Sequence, residues 1–292
     1  MNKSHLHPKH HERNSKVETL PVPEAAPGEI TFDSLNLHSN LLKGIHSLGF
    51  IRPTPIQAQA IPHILAGRDV VGCAQTGTGK TAAFVLPILH RLLQSSIKRN
   101  CRALILAPTR ELALQSMDHL KALSKFVPLR GTAIFGGVPM SPQIKALEQG
   151  VDIISATPGR LLDHIFSGRI DFVDLEVFVL DEVDRMLDMG FLPDMEKIIR
   201  LLPPKRQNLV FSATLAPEIK KLVHEILRDP VTVQIGRRLD SGGLWEKFVP
   251  QLPINVDFIA EGVGESATHM SVVIGISQFS KTPVVRDIPI SR

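Results

Sequence analysis

Eight consecutive residues constrain this chain most: Ala74, Gln75, Thr76, Gly77, Thr78, Gly79, Lys80 and Thr81. A short apolar run, Asp69-Val70-Val71-Gly72, leads into them, and a helical pattern over residues 82–93 follows. A strand, a glycine-rich turn and a helix start make a device for holding phosphate. The glycines let backbone N–H groups wrap an anion, and the first helical turn adds its positive end. Lys80 can reach the β- and γ-phosphates of a nucleotide, and the Thr81 hydroxyl can ligate Mg2+. The strict pattern has Gly at position 74, where this chain has Ala.

The surrounding texture agrees with such a turn. Short apolar runs alternate with longer amphipathic stretches, the signature of repeated βα units and a parallel sheet. Strands are predicted over residues 69–72, 103–107, 151–156, 177–180, 209–211 and 231–234. Helices are predicted between them, among others over 111–123, 159–165 and 217–227. The pattern divides the chain into an arm (1–28), one α/β domain (29–236) and an atypical tail (237–292). The arm is polar and rich in His, Lys and Pro, without helical or strand period, and reads as disordered. Its His5, His7, His10 and His11 read as a solvated basic stretch rather than a metal site, since a floppy segment offers no fixed geometry. The tail shows weak alternation at 254–259 and 270–279 and is too short for a second domain of equal size.

Composition narrows the function classes. The 292 residues are 43% hydrophobic and 21% charged, enough to bury a core, and 33 basic against 29 acidic residues leave +4, which permits a nucleic-acid partner. Two cysteines, Cys73 and Cys101, cannot make a disulfide framework. No apolar run approaches the roughly 18–20 residues that span a bilayer. The expectation is a soluble cytoplasmic protein.

A phosphate loop needs a carboxylate at a neighbouring strand end. Val177-Phe178-Val179-Leu180 runs into Asp181-Glu182-Val183-Asp184, and ligands of parallel sheets collect at that edge. Asp181 would hold Mg2+, commonly through water, and Glu182 would orient or deprotonate the water attacking the γ-phosphorus. Gln57, after Pro53-Thr54-Pro55-Ile56, carries a donor and an acceptor that match adenine N6 and N7. From chemistry alone such a Gln is more often an ordinary polar residue at a helix start. Phe32 could cover the base.

Taken together these segments resemble the DEAD-box RNA helicases, particularly their bacterial RhlE-like branch. The resemblance runs in order through Phe32, 17 residues before Gly49, then residues 53–57 and 74–81. It continues through Pro108-Thr109-Arg110-Glu111-Leu112-Ala113, Gly136-Gly137, Thr157-Pro158-Gly159-Arg160, residues 181–191 and Ser212-Ala213-Thr214. It implies a RecA-like P-loop NTPase domain, an α/β fold with a mostly parallel sheet and helices on both faces. It further implies ATP and Mg2+ at residues 74–81, adenine at Gln57 with Phe32 stacked on it, and Thr54 supporting the loop. Asp181 and Glu182 would serve hydrolysis. Asp184 would bond toward Ser212 and Thr214, linking the nucleotide state to domain closure. Pro108, Thr109, Arg110, Gly136, Gly137, Thr157, Pro158, Gly159 and Arg160 would line the sugar-phosphate backbone of RNA. Phosphate contacts of this kind position a strand without reading its sequence, so the grip would depend on salt.

Two departures stand out. The third residue of the name-giving tetrapeptide is Val183 in place of Ala, which calls for a packing adjustment only. The family's Ala-Arg-Gly-x-Asp and His-Arg-x-Gly-Arg-x-Gly-Arg elements occur nowhere in residues 237–292. Arginine fingers of this kind are worth about 10³–10⁵ in turnover, so these residues alone are expected to unwind duplexes weakly or not at all. The alternative reading is a stand-alone ATP- or ADP-binding and RNA-binding module without helicase activity.

Overall fold

The computed structural model describes residues 30–95, 100–235, 269–274 and 284–289. The chain divides into two compact units, Met1–Gly236 and Arg237–Arg292. In the first unit, seven strands form one sheet: β1 Val70–Cys73, β2 Ala103–Leu106, β3 Gly131–Ile134, β4 Ile153–Ala156, β5 Val177–Asp181, β6 Gln207–Ser212 and β7 Val231–Gln234. Every neighbouring pair in it is parallel. The sequence predicts six of these strands to within two residues; β3 is the seventh. Only Ile134 of β3 is fully buried, because it is an edge strand and presents no continuous apolar run.

Nine α-helices follow from the same chain logic: α1 Ser39–Ser47, α2 Pro55–Leu65, α3 Lys80–Gln94, α4 Arg110–Leu123, α5 Ser141–Glu148, α6 Pro158–Phe166, α7 Val183–Asp188, α8 Leu192–Leu201 and α9 Pro217–Ile226 among the described residues. Alternate strand residues point to opposite faces, which gives the sheet two cores. Ile105, Val179, Leu209 and Phe211 pack with Leu41, Ile56, Ile61, Phe84, Ile88 and Leu120, so α1–α4 cover one face. Leu104, Leu106, Phe178, Leu180 and Val210 pack with Leu161, Met186, Ile198 and Leu222, so α6–α9 cover the other, with Leu147 of α5 against the same cluster. Val183 is fully buried in that second core, so the larger side chain is absorbed away from the loop.

The strand order is β3-β4-β2-β5-β6-β1-β7, and this order sorts the sequence motifs. The strands that end at residues 73, 181 and 212 are contiguous, as β1, β6 and β5. Register places Cys73 beside Ser212 and Asp181 beside Phe211. The strands that lead into residues 108–110, 135–137 and 157–160 form the other block, β2, β4 and β3. One edge of one sheet is thereby divided into two adjoining halves.

The second unit contains an antiparallel pair, β8 His269–Ile274 and β9 Val284–Pro289. The expected arm and the alternation at 254–259 lie outside the described residues. No helix among the described residues is long and apolar enough to cross a membrane.

Candidate nucleotide and nucleic-acid site

β1 hands directly into the turn of residues 74–79. The backbone N–H of Ala74 donates to Ser212 O at 3.0 Å, which extends the β1–β6 pairing by one residue and anchors the turn. Gly77 and Gly79 have φ of 84° and 93°, a region that favours glycine. Thr78 closes the turn by donating its hydroxyl to Gln75 O at 2.7 Å. Lys80, the first residue of α3, is buried, and its ammonium donates to Ala74 O at 2.8 Å. The loop is therefore folded over its own lysine.

Asp181 ends β5 and is 5% exposed. Its Oδ1 is buried without a hydrogen-bond partner. Burial pushes the carboxyl up to about 7, opposed by the Lys80 charge and reinforced by Glu182 and Asp184. Glu182 follows with φ 53° and ψ 53°, a left-handed conformation that is uncommon for a non-glycine residue and marks functional turns. Its carboxylate accepts from the Thr76 hydroxyl at 3.2 Å and pairs with Arg185 at 3.5 Å. The turn that would meet phosphate is thus bonded to the carboxylate that would act on water.

Asp184 ties the third strand end into the site. Its Oδ2 accepts from the N–H groups of Ala213 and Thr214 at 3.1 Å and from the Thr214 hydroxyl at 3.4 Å. Its own N–H donates to Ser212 Oγ at 3.3 Å. The Cys73 thiol donates to Ala213 O at 3.5 Å, and burial, then Asp184, pushes its pKa up. That thiol is a member of the site that the motif reading passed over; its place at the end of β1 was the available signal.

Gln57 and Thr54 sit at the start of α2 and face Gly79. Gln57 is 6% exposed. Its Oε1 accepts from the Thr54 N–H at 2.9 Å, and its Nε2 donates to Gly79 O at 3.0 Å. Both ends of the amide are engaged within the chain, as a capping partner and as a brace for the loop. A Cβ at Gly79 would collide with the Gln57 amide, so position 79 needs glycine for space as well as for φ. Phe32 departs from the expected stacking ring. It starts the 3-10 turn Phe32–Leu35, is 2% exposed and belongs to the first core cluster, so it offers no open face to a base. The exposed aromatic of this region is Phe50, at 47%.

The second half of the edge is built by α4, α5, α6 and the turn after β3. Thr109 caps α4, its Oγ1 accepting from Leu112 N–H at 3.3 Å, and Pro108 is buried. Arg110 is exposed and lies over the Phe135 ring, 5.3 Å from its centre. Gly136 and Gly137 are exposed, and Gly137 has φ 78°. Thr157, buried Pro158 and exposed Gly159 open α6. Arg160 is less open than Arg110. Its side chain is 14% exposed, it donates to Val138 O at 2.9 Å, and it lies 3.5 Å from Asp163. Here it braces the turn of residues 136–138 rather than standing open.

Those two halves fit the groups they would have to hold. A Cβ at Gly77 meets nothing within 4 Å, so the loop apex opens onto free space. The unpartnered Asp181 oxygen and the Thr81 hydroxyl supply oxygen donors for a hard cation. Among the described residues no cluster of three or more His, Cys, Asp or Glu could hold a metal unaided. Mg2+ carried with a nucleotide needs no such cage, since phosphate and water complete its shell.

Comparison with known proteins then decides the family. A protein-family model described as DEAD/DEAH box helicase matches residues 54–222, more than half of the chain. The chain belongs to the DEAD/DEAH box helicase family. It is 44% identical over 234 residues to DEAD-box ATP-dependent RNA helicase 40 of Arabidopsis thaliana, covering 80% of this chain and 21% of that protein. It is 46% identical over 243 residues to the probable ATP-dependent RNA helicase ddx27 of Dictyostelium discoideum, covering 82% and 30%. It is 47% identical over 204 residues to the ATP-dependent RNA helicase CshA of Limosilactobacillus reuteri, covering 70% and 41%. The chain thus spans between about a fifth and two fifths of these DEAD-box relatives. Identity is level across plant, amoebal and bacterial proteins, so it does not single out the RhlE-like branch.

Proposed function

We propose that residues 29–236 bind ATP with Mg2+ and hydrolyse it, as the nucleotide-binding lobe of an RNA helicase that grips RNA through its sugar-phosphate backbone. The observation that carries this reading is the contiguity of β5, β6 and β1, which brings Asp181, Glu182, Ser212 and residues 74–81 to one sheet edge. Gly77, Thr78, Gly79 and Lys80 bind the phosphates, and Gln57 takes adenine as Gly79 shifts away from it. Thr81 and Asp181 would hold Mg2+, which would supply positive charge to the phosphate site. Glu182 gives up Thr76 and orients water in line with the γ-phosphorus, accepting its proton. Asp184 reports the state of the loop to residues 212–214.

RNA lies along the other half of the same edge, at Thr109, Arg110, Gly136, Gly137, Thr157, Gly159 and Arg160. Adjacent halves of one edge give the two ligands a short mechanical path. The 292 residues tested alone bind Mg-ATP with little RNA-stimulated turnover, because the arginine elements absent from 237–292 would complete the transition-state charge and the RNA clamp. Glu182→Gln tests the assignment: nucleotide binding stays within about twofold while residual phosphate release falls by about 10²–10⁴. Unchanged phosphate release in that variant would remove Glu182 from the reaction. Efficient duplex unwinding by the purified 292 residues would overturn the limit set on them.

A further inference from the structure

The turn of residues 136–138 is short of support from its own backbone. It leaves the edge strand β3, its two glycines are exposed, and nothing lies within 4 Å of a Cβ built on either. Side-chain donors can fix the carbonyls that such a turn does not pair itself. Two do so. Arg160 donates to Val138 O at 2.9 Å, and Gln143 of α5 donates its Nε2 to Phe135 O at 3.0 Å.

Gln143 is itself fixed from behind. It is 6% exposed, and its Oε1 lies 3.2 Å from Nε2 of His164 on α6, which is fully buried. Since the amide nitrogen is used on Phe135 O, the amide oxygen must accept, and the His164 Nε2 must carry the ring proton. Burial, and after it the Arg160 charge, lowers the His164 pKa, with Asp163 opposing and Arg169 adding. Its Nδ1 is left without a partner. A directed chain results, from His164 N–H to the Gln143 amide to the Phe135 carbonyl. Phe135 in turn carries Arg110 over its ring.

We propose that Gln143 and His164 are positioning residues for the RNA grip. They hold the Phe135 carbonyl so that the Gly136-Gly137 turn, braced by Arg160, and Arg110 present one continuous phosphate-binding surface. Neither residue touches RNA; each acts through the turn. The inference rests on the RNA reading of that half of the sheet edge.

Binding of a fluorescent single-stranded oligouridylate to the 292-residue chain, measured across a salt series, tests it. Gln143→Leu and His164→Leu each weaken RNA binding about tenfold, the scale of one buried hydrogen bond lost with its partner left unpaired. They leave the slope of log affinity against log salt unchanged, because no charge is removed. Arg110→Ala weakens binding and lowers that slope by about 0.7, as one phosphate contact on a single strand requires. His164→Gln, which returns an N–H at similar reach, keeps RNA affinity within about twofold of wild type. ATP affinity is unchanged throughout. If Arg110→Ala alone weakens binding, the positioning role is refuted while the RNA reading stands. If Arg110→Ala has no effect, the RNA reading falls and this inference with it. Parallel loss of ATP affinity in the leucine variants would reduce both residues to general packing. Should His164→Leu fail to fold, Gln143→Leu and His164→Gln carry the same outcomes.

Discussion

Asp181 is the residue whose cost to the fold can be weighed against its use. Its carboxyl is raised from the ordinary 3.8 to about 7, burial being the largest cause. Below pH 3.8 the group is protonated in the folded and unfolded chain alike, and folding is indifferent to it. Between 3.8 and about 7 the folded chain keeps a proton that the unfolded chain releases, so stability falls as pH rises. Above that window the full cost is present, about 4 kcal/mol at about 1.4 kcal/mol per pH unit. At pH 5 less than half of it has developed. Asp181→Asn abolishes the titration. Urea unfolding with chelator present should therefore show the variant gaining on the wild type by about 2–3 kcal/mol more at pH 8 than at pH 5. Taking the difference between two pH values cancels whatever the amide does to packing. Saturating Mg2+ with ATP should stabilise the wild type more than the variant. A stability difference equal at both pH values would refute the claim that an ionised, desolvated Asp181 is held in reserve for a cation.

Two further outcomes follow from the same geometry. Asp184→Ala leaves the N–H groups of Ala213 and Thr214 without their acceptor, and urea unfolding should register a loss of about 2–3 kcal/mol; a loss below about 0.5 kcal/mol would mean that water replaces the carboxylate freely. Burial pushes the Cys101 thiol up to about 12 and raises Cys73 as well. Both thiols should ignore a thiol-specific chromogenic reagent at pH 8 in the native chain and react in urea, and rapid native reaction would contradict their burial.

Much of the architecture was legible because the signals were local. Each buried strand reads as a short apolar run, and Lys80-Thr81 after a glycine turn marks a helix start by itself. The edge strand β3 was not legible, since Gly131, Thr132 and Ala133 are only half-buried and carry no apolar stripe. The site was legible as a set of positions and less so as a set of states. Residue type tells that Gln57 can pair with adenine; it does not tell that both ends of its amide are spent on Thr54 and Gly79. The resemblance implies a stacking ring at Phe32, yet the ring packs into the first core. The resemblance puts Arg160 at the RNA backbone, and it does not tell that a backbone carbonyl 22 residues earlier in the chain takes one of its donors. In each case a long-range partner decides, and partners at such separations leave no periodic trace. Gln143 and His164 escaped for the same reason: they lie 21 residues apart and meet only because β4 runs beside β3.

The central claim is that residues 74–81 with Asp181 and Glu182 form a working nucleotide site. Calorimetric titration of Mg-ATP into the 292-residue chain and into its Lys80→Ala variant tests this most directly. One saturable site in the wild type, weakened at least about tenfold in a variant that melts at the same temperature, is the predicted result, on the scale of a charge-assisted hydrogen bond to phosphate. Equal ATP binding by both chains, or none by the wild type, would contradict it.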